Sequence, residues 1–130
     1  MMGFLIVFLG AGIGGSLRHA VNLVAMALGW TAFPFGTLAI NVLGSFLIGV
    51  VQQAALTTHL IPETLRLVLA VGVMGGFTTY SSFSYETIRL FENGAWIAAV
   101  LYIVLTTALC LGGCVMGLAL GGLLVEGRGW

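Results

Sequence analysis

Four stretches of this chain are long and apolar enough to cross a bilayer, and nothing else constrains its fold so tightly. A helix needs about 20 residues to span the hydrocarbon core. The four runs fall at about residues 3–28, 36–56, 64–91 and 95–124. Inside lipid no water satisfies backbone N–H and C=O groups, so each run must close its own hydrogen bonds as a helix. The expected fold class is therefore all-α integral membrane, a single four-helix domain over residues 1–130. The opening MMGFLIVFLG has no basic segment ahead of its apolar run and reads as the first span, not as a cleaved signal. Trp30, Phe33 and Pro34 make the turn after it. Pro62 and Glu63 open the third helix, and Glu92, Asn93 and Gly94 turn the chain into the fourth.

Charge narrows the function classes. Only 6% of residues are charged and 60% are hydrophobic, with a mean hydropathy of +1.17. Soluble domains carry about 25% charged residues. There is no lysine, and four arginines balance four glutamates, so no basic patch exists to neutralise nucleic-acid phosphates. Cys110 and Cys114 stand one helical turn apart in an apolar run, a poor geometry for a disulfide and too few ligands for a metal; buried free thiols are expected. No nucleophile–base constellation, metal-ligand cluster or phosphate loop points to an enzyme.

Orientation in a membrane follows the arginines and lysines of short loops. With four spans both termini share one side with the second loop, which places Arg66 and Arg128 there and Arg89, with Arg18, opposite. So small a bias is compatible with insertion in both orientations, and hence with opposed copies pairing as an antiparallel, dual-topology homodimer. It is equally compatible with one orientation imposed by machinery or lipid. Four short helices do not comfortably enclose a pore, so self-association is expected on size alone. The pairs Gly10–Gly14, Gly72–Gly76, Gly113–Gly117 and Gly117–Gly121 have the GxxxG spacing that lets helix backbones approach closely in lipid.

Against this apolar background the third span breaks into GGFTTYSSFSYE, Gly75 to Glu86. Polar groups at membrane depth are expensive unless buried in protein or facing water, and often mark a transport route. Two glycines weaken the helix, and Thr78, Thr79, Ser81 and Ser82 can satisfy the backbone groups that a break near residues 75–79 would free. Carbonyls released there, meeting across a dimer axis, suit a small monovalent cation. A continuous helix whose hydroxyls bond back one turn fits the same residues. Tyr80 and Phe83 put two rings on one side of the segment. Ring edges are electropositive, so they can hold a small anion, although ordinary packing uses the same spacing. Asn41, sharing a face with Gly44 and Ser45 in the second span, can donate to an anion or glue helices together. Tyr102, Thr106 and Cys110 form a stripe along the fourth span, continued by glycines. Arg18 and Glu86 are the charges closest to membrane depth; each is a functional candidate or an interfacial anchor.

Taken in order, GAGIGGSLRH, FGTLAINVLGSFLIG and GGFTTYSSFSYE across four spans resemble the Fluc/CrcB family of fluoride ion channels. The resemblance covers essentially the whole chain. It implies a passive, fluoride-selective channel of the bacterial inner membrane, built as an antiparallel homodimer with two pores. It also implies a central structural sodium ion held by the Gly75 and Thr78 carbonyls of each copy. The pore residues it implies are Asn41, Tyr80, Phe83, Tyr102, Thr106 and Cys110. Two positions depart from the family pattern: Tyr80 stands where phenylalanine is usual, and Cys110 where serine is more typical. Two further readings remain from other classes. One is a proton-coupled small dual-topology exporter using Glu86 as its carboxylate; the other is a non-transporting assembly subunit held by glycine packing.

Overall fold

The computed structural model describes residues 1–59 and 61–127. Among them the chain is entirely helical and places four membrane-length spans where hydropathy puts them. The first is α1, Met2–Ala27, and the second α2, Phe35–Thr57. The third covers Glu63–Glu92 but is composite. It opens as a short helix α3, Glu63–Arg66, widens into a π-helical segment, Leu67–Val73, and closes as a single turn α4, Met74–Phe77. After a two-residue interruption it resumes as α5, Tyr80–Glu92. The last span is α6, Trp96–Glu126. Arg128, counted above in the charge balance, lies outside the described residues.

The short connections follow from their residues. The turn after α1 uses Gly29 at φ 75°, and the turn between α5 and α6 uses Gly94 at φ 77°, both in the left-handed region that glycine enters without penalty. Pro62, with its fixed φ of −58°, caps α3, so Glu63 becomes the first helical residue.

Two glycine seams hold the helices together, both within one chain. On α1, Gly10 and Gly14 face the third span, where a Cβ on Gly10 would stand 2.9 Å from the Val68 carbonyl oxygen. A Cβ on Gly14 would collide with the Val73 carbonyl, and one on Gly76 with Ala11. The second seam joins α6 to α2. Gly117 lies against the Phe46 carbonyl, a Cβ on Gly121 would lie 2.8 Å from the Val50 carbonyl oxygen, and one on Gly49 would meet the Cys114 carbonyl oxygen at 2.5 Å. Lipid gives no hydrophobic drive for helices to associate, so this close van der Waals approach takes its place. Large side chains instead cover the outside: Phe4, Phe8, Ile13, Leu111, Val115 and Met116 are exposed, as a hydrocarbon solvent requires.

The seams make a paired prediction. Gly117→Ala forces a methyl into the Phe46 backbone and should destabilise the protein by about 1–3 kcal/mol, the usual effect of overpacking. Gly112→Ala, at a position with nothing within 4 Å, should be neutral. Thermal unfolding of the two variants in detergent, followed by the monodisperse fraction on size exclusion, checks the difference.

Candidate functional site

The interruption of the third span falls at Thr78 and Thr79, whose backbones are extended (ψ 155° and φ −150°, ψ 116°). The two glycines expected to weaken the helix are themselves helical, inside α4. Gly76 is there because Ala11 of α1 comes so close, while Gly75 faces open space. What makes the break is a set of substitute partners. Thr79 Oγ1 accepts from the Ser82 N–H at 3.1 Å, an N-cap that starts α5 afresh. Thr78 Oγ1 donates to the Met74 carbonyl at 2.9 Å, closing α4.

The third partner comes from another helix. Asn41 on α2 is buried, and its amide pairs with the Thr79 backbone in both directions. Asn41 Nδ2 donates to the Thr79 carbonyl at 3.0 Å, and Thr79 N–H donates to Asn41 Oδ1 at 2.8 Å. The reciprocal pattern settles which way the amide points. Of the two uses foreseen for this residue, holding helices together takes up one N–H of Nδ2, and its second N–H remains.

The break releases carbonyls. In an uninterrupted helix the Thr79 N–H would donate to Gly75 and the Ser82 N–H to Thr78. Here the first goes to Asn41 and the second to the Thr79 hydroxyl. The Gly75 and Thr78 carbonyls are left without their helical donors, the chemistry a hard monovalent cation needs.

Beside the break runs an open groove of about 430 Å³. Asn41, Gly75, Tyr80, Phe83, Thr106 and Cys110 line it, together with Thr78, Gly44 and Ser45, and none of its lining residues is charged. Thr106 is buried, and its Oγ1 has no hydrogen-bond partner. An orphaned hydroxyl in a membrane span is costly, and Gln52 Oε1 is left in the same state. Tyr80 is 80% exposed in the single chain, with its ring 5.6 Å from that of Phe83. Cys110 and Cys114 are free thiols but half-buried, less enclosed than the sequence suggests.

Tyr102, expected in the same stripe, does not line this groove. It is fully buried behind Phe83, their rings 5.1 Å apart, and Phe33 closes on its other side at 5.4 Å, edge to face. Its hydroxyl points to Glu86 and donates to Oε2 at 2.6 Å, while Thr37 Oγ1 donates to Oε1 at 2.7 Å. Thr37 and Glu86 open onto a second groove of about 410 Å³, lined also by Asn22, Arg89 and Asn93. Tyr102 thus stands between the two grooves, its hydroxyl on Glu86 of the second and its ring against Phe83 of the first.

Ser81 and Ser82 join the hydroxyl cluster at the start of α5: Ser82 Oγ accepts from Thr79 Oγ1 at 3.1 Å, and Ser81 Oγ lies 3.2 Å from it. Neither is among the groove residues. Arg18 is half-buried on α1, away from both grooves, and makes no ion pair among the described residues. Thr37 was not singled out from sequence, and Phe33 only as a residue of the turn after the first span. Thr37 carried a legible signal, since it precedes Asn41 by one helical turn and shares its face.

A family model described as CrcB-like protein, Camphor Resistance (CrcB), matches residues 5–118. A protein named fluoride-specific ion channel FluC from Granulibacter bethesdensis is 50% identical over 127 residues, covering 98% of this chain and 100% of that one. Proteins of the same name from Sorangium cellulosum and Geobacter sulfurreducens are 45% and 47% identical, over 92% and 82% of this chain and 94% and 86% of their own lengths. The agreement runs through all four spans, the broken third included, and the chain belongs to the CrcB-like family.

Proposed function

We propose that this chain is a passive, fluoride-selective ion channel that lets cytoplasmic fluoride leave down its electrochemical gradient. The observation that carries the reading is the uncharged groove in which the Asn41 amide, the Phe83 ring and the unpartnered Thr106 hydroxyl meet. Its relatives' names supply the ion, and the groove supplies chemistry suited to it. Fluoride is small and strongly hydrated, so its passage needs donors that replace water. The second N–H of Asn41, the Thr106 hydroxyl and the positive edge of Phe83 are such donors. With no fixed charge in the groove the ion is held loosely enough to leave, as conduction demands. A membrane potential drives an anion outward at about 2.3 kcal/mol per 100 mV, so no coupled energy source is required.

The half-open groove supports a homodimer. Polar atoms facing lipid would be costly, and a second copy seated over the groove buries them. The exposed Tyr80 ring then lies at the contact between copies. The near-balanced arginines support antiparallel, dual-topology pairing, which would give two equivalent pores in the bacterial inner membrane. In such a pair the Gly75 and Thr78 carbonyls of both copies would hold a structural sodium ion, which would offset the convergence of their dipoles. Ser81, Ser82 and Arg18 are structural in this reading. Tyr80 and Cys110 keep their places beside the path, with the phenol hydroxyl and the weak thiol donor setting its rate.

The coupled exporter is not favoured. Its carboxylate, Glu86, here accepts hydroxyl hydrogen bonds from Thr37 and Tyr102 that tie α2 and α6 to α5, and the relatives are named as ion channels. The assembly-subunit reading leaves Thr106 unexplained.

Efflux of fluoride from proteoliposomes under a potassium-set voltage, followed with a fluoride electrode and compared with chloride, tests the reading. Rapid fluoride release with negligible chloride release is expected, and no fluoride release from correctly assembled protein would overturn it. Phe83→Ile should abolish or sharply reduce fluoride flux while the size-exclusion profile stays unchanged. Thr106→Val should slow it about tenfold, the effect of losing one hydrogen bond of ~1.4 kcal/mol at the barrier. Glu86→Gln should leave measurable passive flux, where a proton-coupled exporter would lose transport altogether.

A further inference from the structure

The two directions of the Asn41–Thr79 pairing have different consequences. Asn41 Oδ1 takes the Thr79 N–H at 2.8 Å. That N–H is the only backbone donor a helix would offer to the Gly75 carbonyl. As long as Asn41 holds it, the Gly75 carbonyl stays free. Remove the acceptor, and the Thr79 N–H is stranded in a buried site, where leaving it unsatisfied costs about 1–3 kcal/mol. The nearest remedy is to restore the helical bond to Gly75, which consumes the carbonyl. Asn41 Nδ2 meanwhile spends one N–H on the Thr79 carbonyl at 3.0 Å and has a second to offer toward the groove that it lines.

We infer that Asn41 is the positioning residue for the cation site as well as a donor to the anion: its oxygen keeps the Gly75 carbonyl available and its nitrogen serves the groove. The inference rests on the sodium reading above. One side chain then ties the ion that conducts to the ion that holds the break. The cation site needs Asn41 even though Asn41 does not touch the cation.

The roles separate by substitution, because aspartate keeps the acceptor for the Thr79 N–H and loses the second N–H toward the groove, while leucine loses both. Purified full-length protein in detergent is titrated with sodium at constant ionic strength, N-methylglucamine replacing it. Thermal stability is the readout, since a ligand at free concentration L that binds only the folded state raises it by RT ln(1 + L/Kd), and the Kd fitted to that dependence is the sodium midpoint. Wild type should be stabilised by sodium. Asn41→Leu should need at least about tenfold more sodium or show no dependence at all, the consequence of losing the Gly75 carbonyl of each copy as a ligand. Asn41→Asp should keep a midpoint no higher than wild type and yet lose fluoride efflux in proteoliposomes. A merely structural role for Asn41 would lower stability equally at every sodium concentration, leaving the Asn41→Leu midpoint unchanged, and that result overturns the inference alone. A raised midpoint in Asn41→Asp overturns it too, and remains readable if Asn41→Leu fails to assemble. Wild type indifferent to sodium would instead remove the cation reading, and this inference with it.

Discussion

The reciprocal hydrogen bonds between the Asn41 amide and the Thr79 backbone organise this structure. A primary amide carries the same donor and acceptor as a peptide unit, so it can complete an interrupted helix from outside. In water such a break would be solvated and unremarkable. At membrane depth an unpartnered backbone N–H is costly, and α2 supplies the partner that the Thr79 N–H would otherwise lack. From it follow the free carbonyls of Gly75 and Thr78, the fresh start of α5, and the direction in which Phe83 and Tyr80 present their rings.

Around that pairing the hydroxyl residues fall into two kinds. Ser16, Thr57, Thr58, Thr78, Ser84 and Thr87 bond back to a carbonyl four residues earlier and are neutralised as far as lipid is concerned. Thr37, Thr79, Tyr102 and Thr106 do not. Three of these bond across the chain or to the break, and the fourth bonds to nothing. The distinction separates hydroxyls satisfied within their own helix from those that reach beyond it or stay unpaired, which polarity alone does not do.

Much of the molecule was legible beforehand. Span boundaries came within about two residues because lipid imposes a length on any helix that crosses it. Asn41, Gly44 and Ser45 do share the groove, as helical spacing required, and so do Thr106 and Cys110. The interruption, expected near residues 75–79, falls at Thr78 and Thr79, at the end of that stretch and past the glycines that were to weaken the helix. Gly76 is a glycine because α1 presses against it, a tertiary reason that looks in sequence like flexibility. Tyr102 left its expected place for similar reasons. One turn from Thr106 on the same helix, it is drawn behind Phe83 by a carboxylate on α5 and capped by Phe33 from the turn before α2. Three separate elements meet there, and no periodicity within one element reveals it. Dimerisation, the bound sodium and the side-by-side arrangement of copies rest on the proposal.

The glycine seams also bear on how such a chain changes over generations. A glycine codon has no missense neighbour that encodes anything smaller, so every single-base replacement adds atoms. Where Gly14, Gly76 and Gly117 meet opposing backbone, no side chain can swing aside to receive them. The lipid-facing leucines, valines and isoleucines nearby exchange among themselves with little effect, since hydrocarbon does not read their shapes. Variation in this chain is therefore channelled outward, onto the membrane-facing surface, while its two seams are held by the absence of any room to change.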